Sequence, residues 1–492
     1  MRPRPHVRSR AVVALLALVT VSACGSRVDL SAQRAAELGP VVETRTLEDP
    51  AGPAVDIAPG AIAADPLSPA GPATAAPGSS VAPTTAPAGS SGSRGGTSGV
   101  TTTTGSAKLD GASRGEANVC PQQGPPITIG QVGSWSGLIG QSVSQGKTAL
   151  QVWARYMNDH GGVACHPVRV ISKDDQSDSS LATSAVQSLI QDEKVSALVG
   201  SFSIISVAGY VQGIKNSGVP TIGGDGTTEP WTTNPLLFDV GGAILEQYFL
   251  AAKAHAQRGF TKLAIITCVE ATSCTDAAES LSSGPLSAEA AGQQVVLKQT
   301  TSITQADYTS ACQSAKNAGA NSIFLGLDAA SITRFAASCD TLGYHPQLYT
   351  VSLAASFDVA SPSLQDFEIQ VGSPVFPYTE NRTAAQHVFH EAFAKYAPGV
   401  KVNSGASQAW TAGMMFARAL EKLGPAAISQ TITPAHVLRG LGMIKAETLG
   451  GLIPSTTYTF GQSHTPAGKC GAILIFRKGA WSAINGGRFT CV

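Results

Sequence analysis

Hydroxyl and carboxylate side chains just beyond short apolar runs are the groups of this chain best placed to do chemistry. Ser134 and Ser136 lie in Gly133-Ser134-Trp135-Ser136-Gly137, after the apolar run Ile127 to Val132 and before a helical pattern that opens near Gly146. Unpaired amides and the dipole at a helix N-terminus favour an anion such as a carboxylate, and serines there can equally act as caps. Ser201, Ser203 and Ser206 follow a second apolar run, Gly226 and Thr227 a third, and Asp328 follows Leu325-Gly326-Leu327. Asp328 also stands where it could cap a helix starting near Ser331. Asp174, Asp175 and Asp178 lack the later Glu and the fixed Gly of a calcium loop, so they read as helix caps and solvated charge rather than a metal site. The nine histidines show no HExxH spacing, and no GxSxG elbow, Walker loop or GxGxxG fingerprint follows a strand. Reversible binding without cofactor or metal is the chemistry this set supports, and the sequence carries no case for an enzyme.

A different chemistry is written at the start of the chain. Arg2, Arg4, Arg8 and Arg10 precede the apolar stretch Ala11 to Thr20 and then Val21-Ser22-Ala23-Cys24-Gly25. Ten apolar residues are too few to span a bilayer, so residues 1–23 read as a cleaved signal. The run ending in Cys24 resembles the bacterial lipobox, which implies diacylglycerol on that sulfur and an acyl chain on the new amino terminus. An ordinary secreted chain with an incidental cysteine is the alternative.

All 29 aromatic residues lie at or after Trp135, so the folded part is the C-terminal region of roughly 370 residues, a length that suggests two lobes. Residues 24–116 are rich in Ala, Pro, Gly, Ser and Thr and cannot offset their chain entropy by burial. They read as a flexible tether whose random-coil span is about 45 to 55 Å. Four of the 33 basic residues lie in the signal, leaving 29 against 33 acidic, a net of −4 that gives no footprint for nucleic acid. Eight cysteines remain after Cys24, an even number in an exported chain and so a basis for four disulfides. Pairing of neighbours has a physical motive: Cys120 with Cys165, Cys268 with Cys274, Cys312 with Cys339, and Cys470 with Cys491 across a terminal hairpin. Spacing alone leaves other connectivities, and buried free thiols, open.

The elements that must position these groups alternate from Ile127 onward. Strands are predicted at Ile127 to Val132, Val168 to Ser172, Ala197 to Gly200, Pro220 to Gly223, Leu263 to Thr267, Val295 to Gln299, Ser322 to Leu327 and Gln347 to Val351. Helices are predicted at Gly146 to Asp159, Leu181 to Asp192, Ile244 to Gln257, Thr275 to Ala291, Tyr308 to Ala318 and Ser331 to Leu342. Such alternation specifies right-handed βαβ units, here two doubly wound parallel-sheet α/β lobes with a ligand cleft at the strand ends.

The opening loop, together with Asn158-Gly161-Gly162, Asp174 to Asp178 before Leu189-Ile190, Val199-Gly200 and Gly218-Val219-Pro220, resembles the leucine/isoleucine/valine-binding family of ABC-transporter solute receptors. The resemblance covers roughly residues 127 to 490. It implies a type I periplasmic-binding-protein fold, with lobe 1 at 117–242 and 355–450 and lobe 2 at 243–354 and 451–492, joined by three crossovers. By the same resemblance, Ser134 and Trp135 lie in the first ligand loop. The position matching a carboxylate-binding serine is Ile204, which leaves Ser203 or Ser206 for that contact. Gly226 and Thr227 offer backbone and hydroxyl groups, Thr272 or Ser273 replaces a customary aromatic, and Asp328 receives a ligand ammonium. The implied protein is a monomeric lipoprotein on the extracytoplasmic face of the cell membrane, binding an amino acid or related amide and presenting it to ABC permease subunits. A sensor that reports its ligand state to a partner protein is the second reading.

Overall fold

The computed structural model describes Cys120, residues 122–459 and residues 469–492. The signal, Cys24 and the tether lie outside the described residues. All described residues belong to one compact unit, Thr97–Val492.

Five strands make the first sheet: β1 (Ile127–Gly133), β2 (Val168–Asp174), β3 (Leu198–Ser201), β4 (Thr221–Gly224) and β5 (Leu237–Phe238), in the order β2-β1-β3-β4-β5. Every pairing is parallel. The sheet is sandwiched, with α1 (Gln145–Asp159) on one face and α2 (Ser179–Gln191) with α3 (Val207–Ile214) on the other. A sheet covered on both faces explains why β3 and β4 are wholly buried and show no alternation of polar residues.

The second sheet begins after α4 (Ile244–Gln257), which matches the predicted helix at both ends. Its parallel strands are β6 (Lys262–Cys268), β7 (Gln294–Thr301), β8 (Ser322–Gly326), β9 (Gln347–Val351) and β10 (Ile369–Ser373). Between them run α5 (Thr272–Ser282), α6 (Thr309–Asn317) and α7 (Ala329–Thr341). The chain returns to the first lobe through α8 (Ala384–Tyr396), α9 (Ser404–Glu421) and α10 (Pro434–Gly442); α9 packs on α1, β3 and β4. It closes with β11 (Cys470–Arg477), β12 (Ala480–Ala483) and β13 (Thr490–Cys491), all antiparallel to their neighbours.

Three expectations are corrected here. The second sheet is mixed rather than parallel, because β11 and β12 are added as antiparallel edge strands. Residues 369–373, expected in the first lobe, pair in parallel with β9 and so belong to the second, and the return crossing falls after Ser373. The helix predicted to run to Ala291 stops at Ser282, where Gly284 at φ +88° and Pro285 follow. The four neighbouring cysteine pairs are all disulfide-bonded.

Segments that cross between lobes are tied to one another. Gly242 N–H donates to the Pro374 carbonyl at 2.9 Å, Phe376 N–H to the Leu452 carbonyl at 2.8 Å, and the Tyr458 hydroxyl to the Asp239 carbonyl at 2.6 Å. Among the described residues, no helix is long and apolar enough to cross a membrane.

Candidate functional site

A cleft of about 630 Å³, its open mouth included, lies between the two lobes. Ile139, Ile204 and Ile205 line it from the first lobe, and Ile303, Leu327 and Val351 from the second. The strand order puts these residues there: Ile204 and Ile205 follow β3, Leu327 follows β8, and loops beyond the carboxyl ends of parallel strands converge on such a crevice. Cys268 and Cys274 add their disulfide to the wall, fastening the end of β6 to the first turn of α5, whose N-cap Ala271 makes no side-chain cap bond.

Of the residues singled out by sequence for ligand contact, the structure brings Thr227 and Asp328 to this cleft, one from each lobe. Asp328 is also the cap of α7, its carboxylate accepting the Ala330 and Ser331 N–H groups at 3.1 and 3.2 Å. Thr227 donates both its N–H and its hydroxyl to Asp225 Oδ1, at 2.9 and 3.0 Å. Gly226 holds φ +54°, and a Cβ there would sit 2.9 Å from Asp239 Oδ1, so the turn is packed against a second carboxylate.

The remaining candidates sit elsewhere. Ser134 and Ser206 both donate to the buried Asp175, at 2.6 and 2.8 Å, which makes Asp175 a tie between the loops after β1, β2 and β3 rather than a solvated charge. Asp178 does cap α2, accepting Leu181 N–H at 2.8 Å. Trp135 folds back over Gly133 and meets Phe202 edge-on at 6.1 Å. Ser203 is buried with a hydroxyl that has no partner among the described residues. Thr272 is the first residue of α5, and its neighbour Ser273 takes the place in the lining.

Sequence reasoning missed Ser142, whose hydroxyl accepts Ala329 N–H from the other lobe at 3.3 Å, and Tyr248 at the start of α4. It also missed the carboxylates behind Thr227. Burial pushes Asp225 up to about 6, although Thr227 and Trp231 hydrogen bonds oppose the shift. Asp239 is pushed up to about 7 by burial, with the charges of Asp225 and Glu246 adding to it. Asp276 on α5 is raised by burial and by Glu279 and Glu229; the Glu229 backbone N–H, donated from the first lobe, works the other way. The Asp-Gly-Thr-Thr turn was a visible signal for Asp225, whereas Asp239 becomes a neighbour only through the fold. On the surface, Asp340, His345 and Asp366 bring ligand atoms within 4.8 Å of one another, but all three are exposed and His345 already bonds Asp340 at 2.8 Å.

The sequence matches the periplasmic binding protein family over residues 126–473. This chain belongs to that family of extracytoplasmic receptors, which bind small molecules and typically work with ABC permeases. Solved structures share its fold. A possible leucine/isoleucine/valine-binding protein from Rhodopirellula baltica SH 1 superposes with TM-score 0.62 at 11% identity, covering 74% of this chain and 98% of that one. A fatty acid ABC transporter substrate-binding protein from Thermomonospora curvata gives TM-score 0.61 at 17% identity, covering 74% and 94%. An ABC transporter solute-binding protein from R. palustris, in complex with benzoate, gives 0.59 at 15%, covering 75% and 98%. No curated protein matches the sequence.

Proposed function

We propose that the protein is the lipid-anchored solute receptor of an ABC importer, capturing a small molecule with an apolar body and one hydrogen-bonding head, an amino acid or related amide. The carrying observation is the lining itself: branched aliphatic side chains from both lobes, with Thr227 and Asp328 as polar contacts on opposite walls. Closing two largely preformed lobes removes the ligand's apolar surface from water, at about 25 cal/mol per Å², and no covalent step is required. Apolar or half-apolar solutes also appear in the names of the structural neighbours, which speak of a fatty acid, benzoate and branched amino acids. Cys24, acylated after cleavage, would hold the receptor at the outer face of the membrane, and a monomer suffices for delivery to the permease.

Native mass spectrometry of protein purified without denaturation tests the proposal. A retained solute of a few hundred daltons or less, with a thermal shift on adding aliphatic amino acids or their amides, is expected. An empty protein that no apolar-bodied amino acid, amide or carboxylate stabilises would refute the receptor reading.

A further inference from the structure

We infer that the cleft selects solutes that are cationic or neutral and rejects a free carboxylate, so that the ligand is an apolar amine or amide rather than a free amino acid or a fatty acid. This rests on the receptor reading above. Two of the polar contacts, Thr227 on one wall and Asp328 on the other, are acceptors toward a ligand. Thr227 has its N–H and its hydroxyl proton engaged by Asp225, which leaves only oxygen lone pairs to offer. Asp328 is a carboxylate, and acceptor-only when ionised. Both groups call for a donor, which an ammonium or amide supplies and a carboxylate does not.

The charges around the cleft have one sign. Asp328 is the only charged residue in the lining, and no Lys, Arg or His among the described residues joins it there. Behind the first-lobe wall stand Asp225, facing Thr227, Trp231, Tyr210 and Asp175, and Asp239, facing Gly226, Glu246 and Tyr458. Across the lobe boundary, Asp276 faces Glu229, Glu279 and Tyr248. Lys469 lies beside Glu246 as a counter-charge. Ser142, Ser273 and Tyr248 complete the polar lining as neutral hydroxyls. An anion placed here would meet the Asp328 carboxylate with no cation beside it in the described lining, and further carboxyls behind the first-lobe wall, in surroundings where interactions between charges are weakly screened. A cation would relieve the same repulsion. Burial is the leading cause of the upward shifts of Asp225, Asp239 and Asp276, and like charges add to each: Asp175 at Asp225, Asp225 and Glu246 at Asp239, Glu279 and Glu229 at Asp276.

Four compounds sharing one branched skeleton separate the possibilities by calorimetry on the full chain at pH 7.5: leucinamide, 3-methylbutylamine, leucine and 3-methylbutanoate. Leucinamide and the amine should bind at least tenfold more tightly than leucine, and 3-methylbutanoate should not bind. Asp225→Asn removes one charge while keeping the shape, and should narrow the leucinamide-to-leucine ratio severalfold. Lowering the pH to 5.5, where the buried carboxyls take up protons, should narrow it in the unaltered protein as well. Leucine binding as tightly as leucinamide, binding of 3-methylbutanoate, or a ratio indifferent to both pH and Asp225→Asn would overturn the charge selection and leave the receptor reading standing. A native solute with a free carboxylate would do the same. If none of the four binds and no solute is retained, both fall together.

Discussion

Asp328 holds two positions at once, as cap of α7 and as the charged residue of the cleft, and two substitutions separate them. Asparagine caps a helix about as well as aspartate, whereas alanine does not. Asp328→Asn should therefore keep the unfolding temperature near that of the parent while weakening leucinamide binding by about 1.5 to 3 kcal/mol, the range for a hydrogen bond to a charged group. Asp328→Ala should lose about 0.5 to 2 kcal/mol of stability in addition. Equal affinity in the asparagine variant would remove Asp328 from the ligand site. Asp239 gives a pH prediction. Its folded-state value of about 7 lies above the ordinary 3.8, so between these values the folded protein binds more protons than the unfolded chain, and stability must fall as pH rises through that window. Melting curves from pH 4 to 8 should show this decline, and Asp239→Asn should flatten it. Thr227 and Asp328 were legible in the sequence because each stands a few positions beyond an apolar run that could only be a buried strand. Asp239 was not, since what matters about it is Gly226, thirteen residues away and adjacent only after β4 and β5 pair.

The element least visible in the sequence is also the most enclosed. From Ser404 to Leu420 every residue of α9 is buried, so it has no polar face to set a helical period against. β10 escaped for a related reason: five buried residues cannot be told from a helix fragment by pattern alone. The strands β1 to β4 and β6 to β9 were legible because turn residues punctuate them and helices of ordinary length separate them, whereas β5, two residues long, offered no pattern to read. Packing around α9 leads to a prediction against the usual trend. Glycine to alanine inside a helix ordinarily stabilises by about 1 kcal/mol. At Gly413, however, a Cβ would lie 2.5 Å from the Trp153 ring, itself fully buried and edge-on to Phe416 at 6.2 Å. With no room for the indole to yield, Gly413→Ala should destabilise, and larger residues by about 1 to 3 kcal/mol. Urea unfolding checks the sign, and a more stable alanine variant would show that the indole can move.

For the whole molecule, the two-lobed architecture followed from alternating strands and helices, while the lobe boundary did not. Which sheet a strand joins is decided by pairing across more than a hundred residues, as when β11 inserts next to β10. The membrane attachment proposed for Cys24 is independent of that fold. Cys24→Ser should release the protein into the soluble fraction after detergent-free lysis with its unfolding temperature unchanged, because two or more acyl chains are what stable anchoring requires. Full membrane retention of the variant would rule out the acyl anchor.

The cross-tied segments between lobes have a mechanical consequence. Three separate strings would let one lobe twist, slide or tilt against the other, whereas bonds from Gly242 to Pro374, from Phe376 to Leu452 and from Tyr458 to Asp239 tie the described parts of the crossings side by side as a strap. A strap bends easily about one axis and resists every other displacement. The rims of the two lobes would then approach along one path, so a partner at the outer surface would meet a single hinge coordinate in place of many relative orientations.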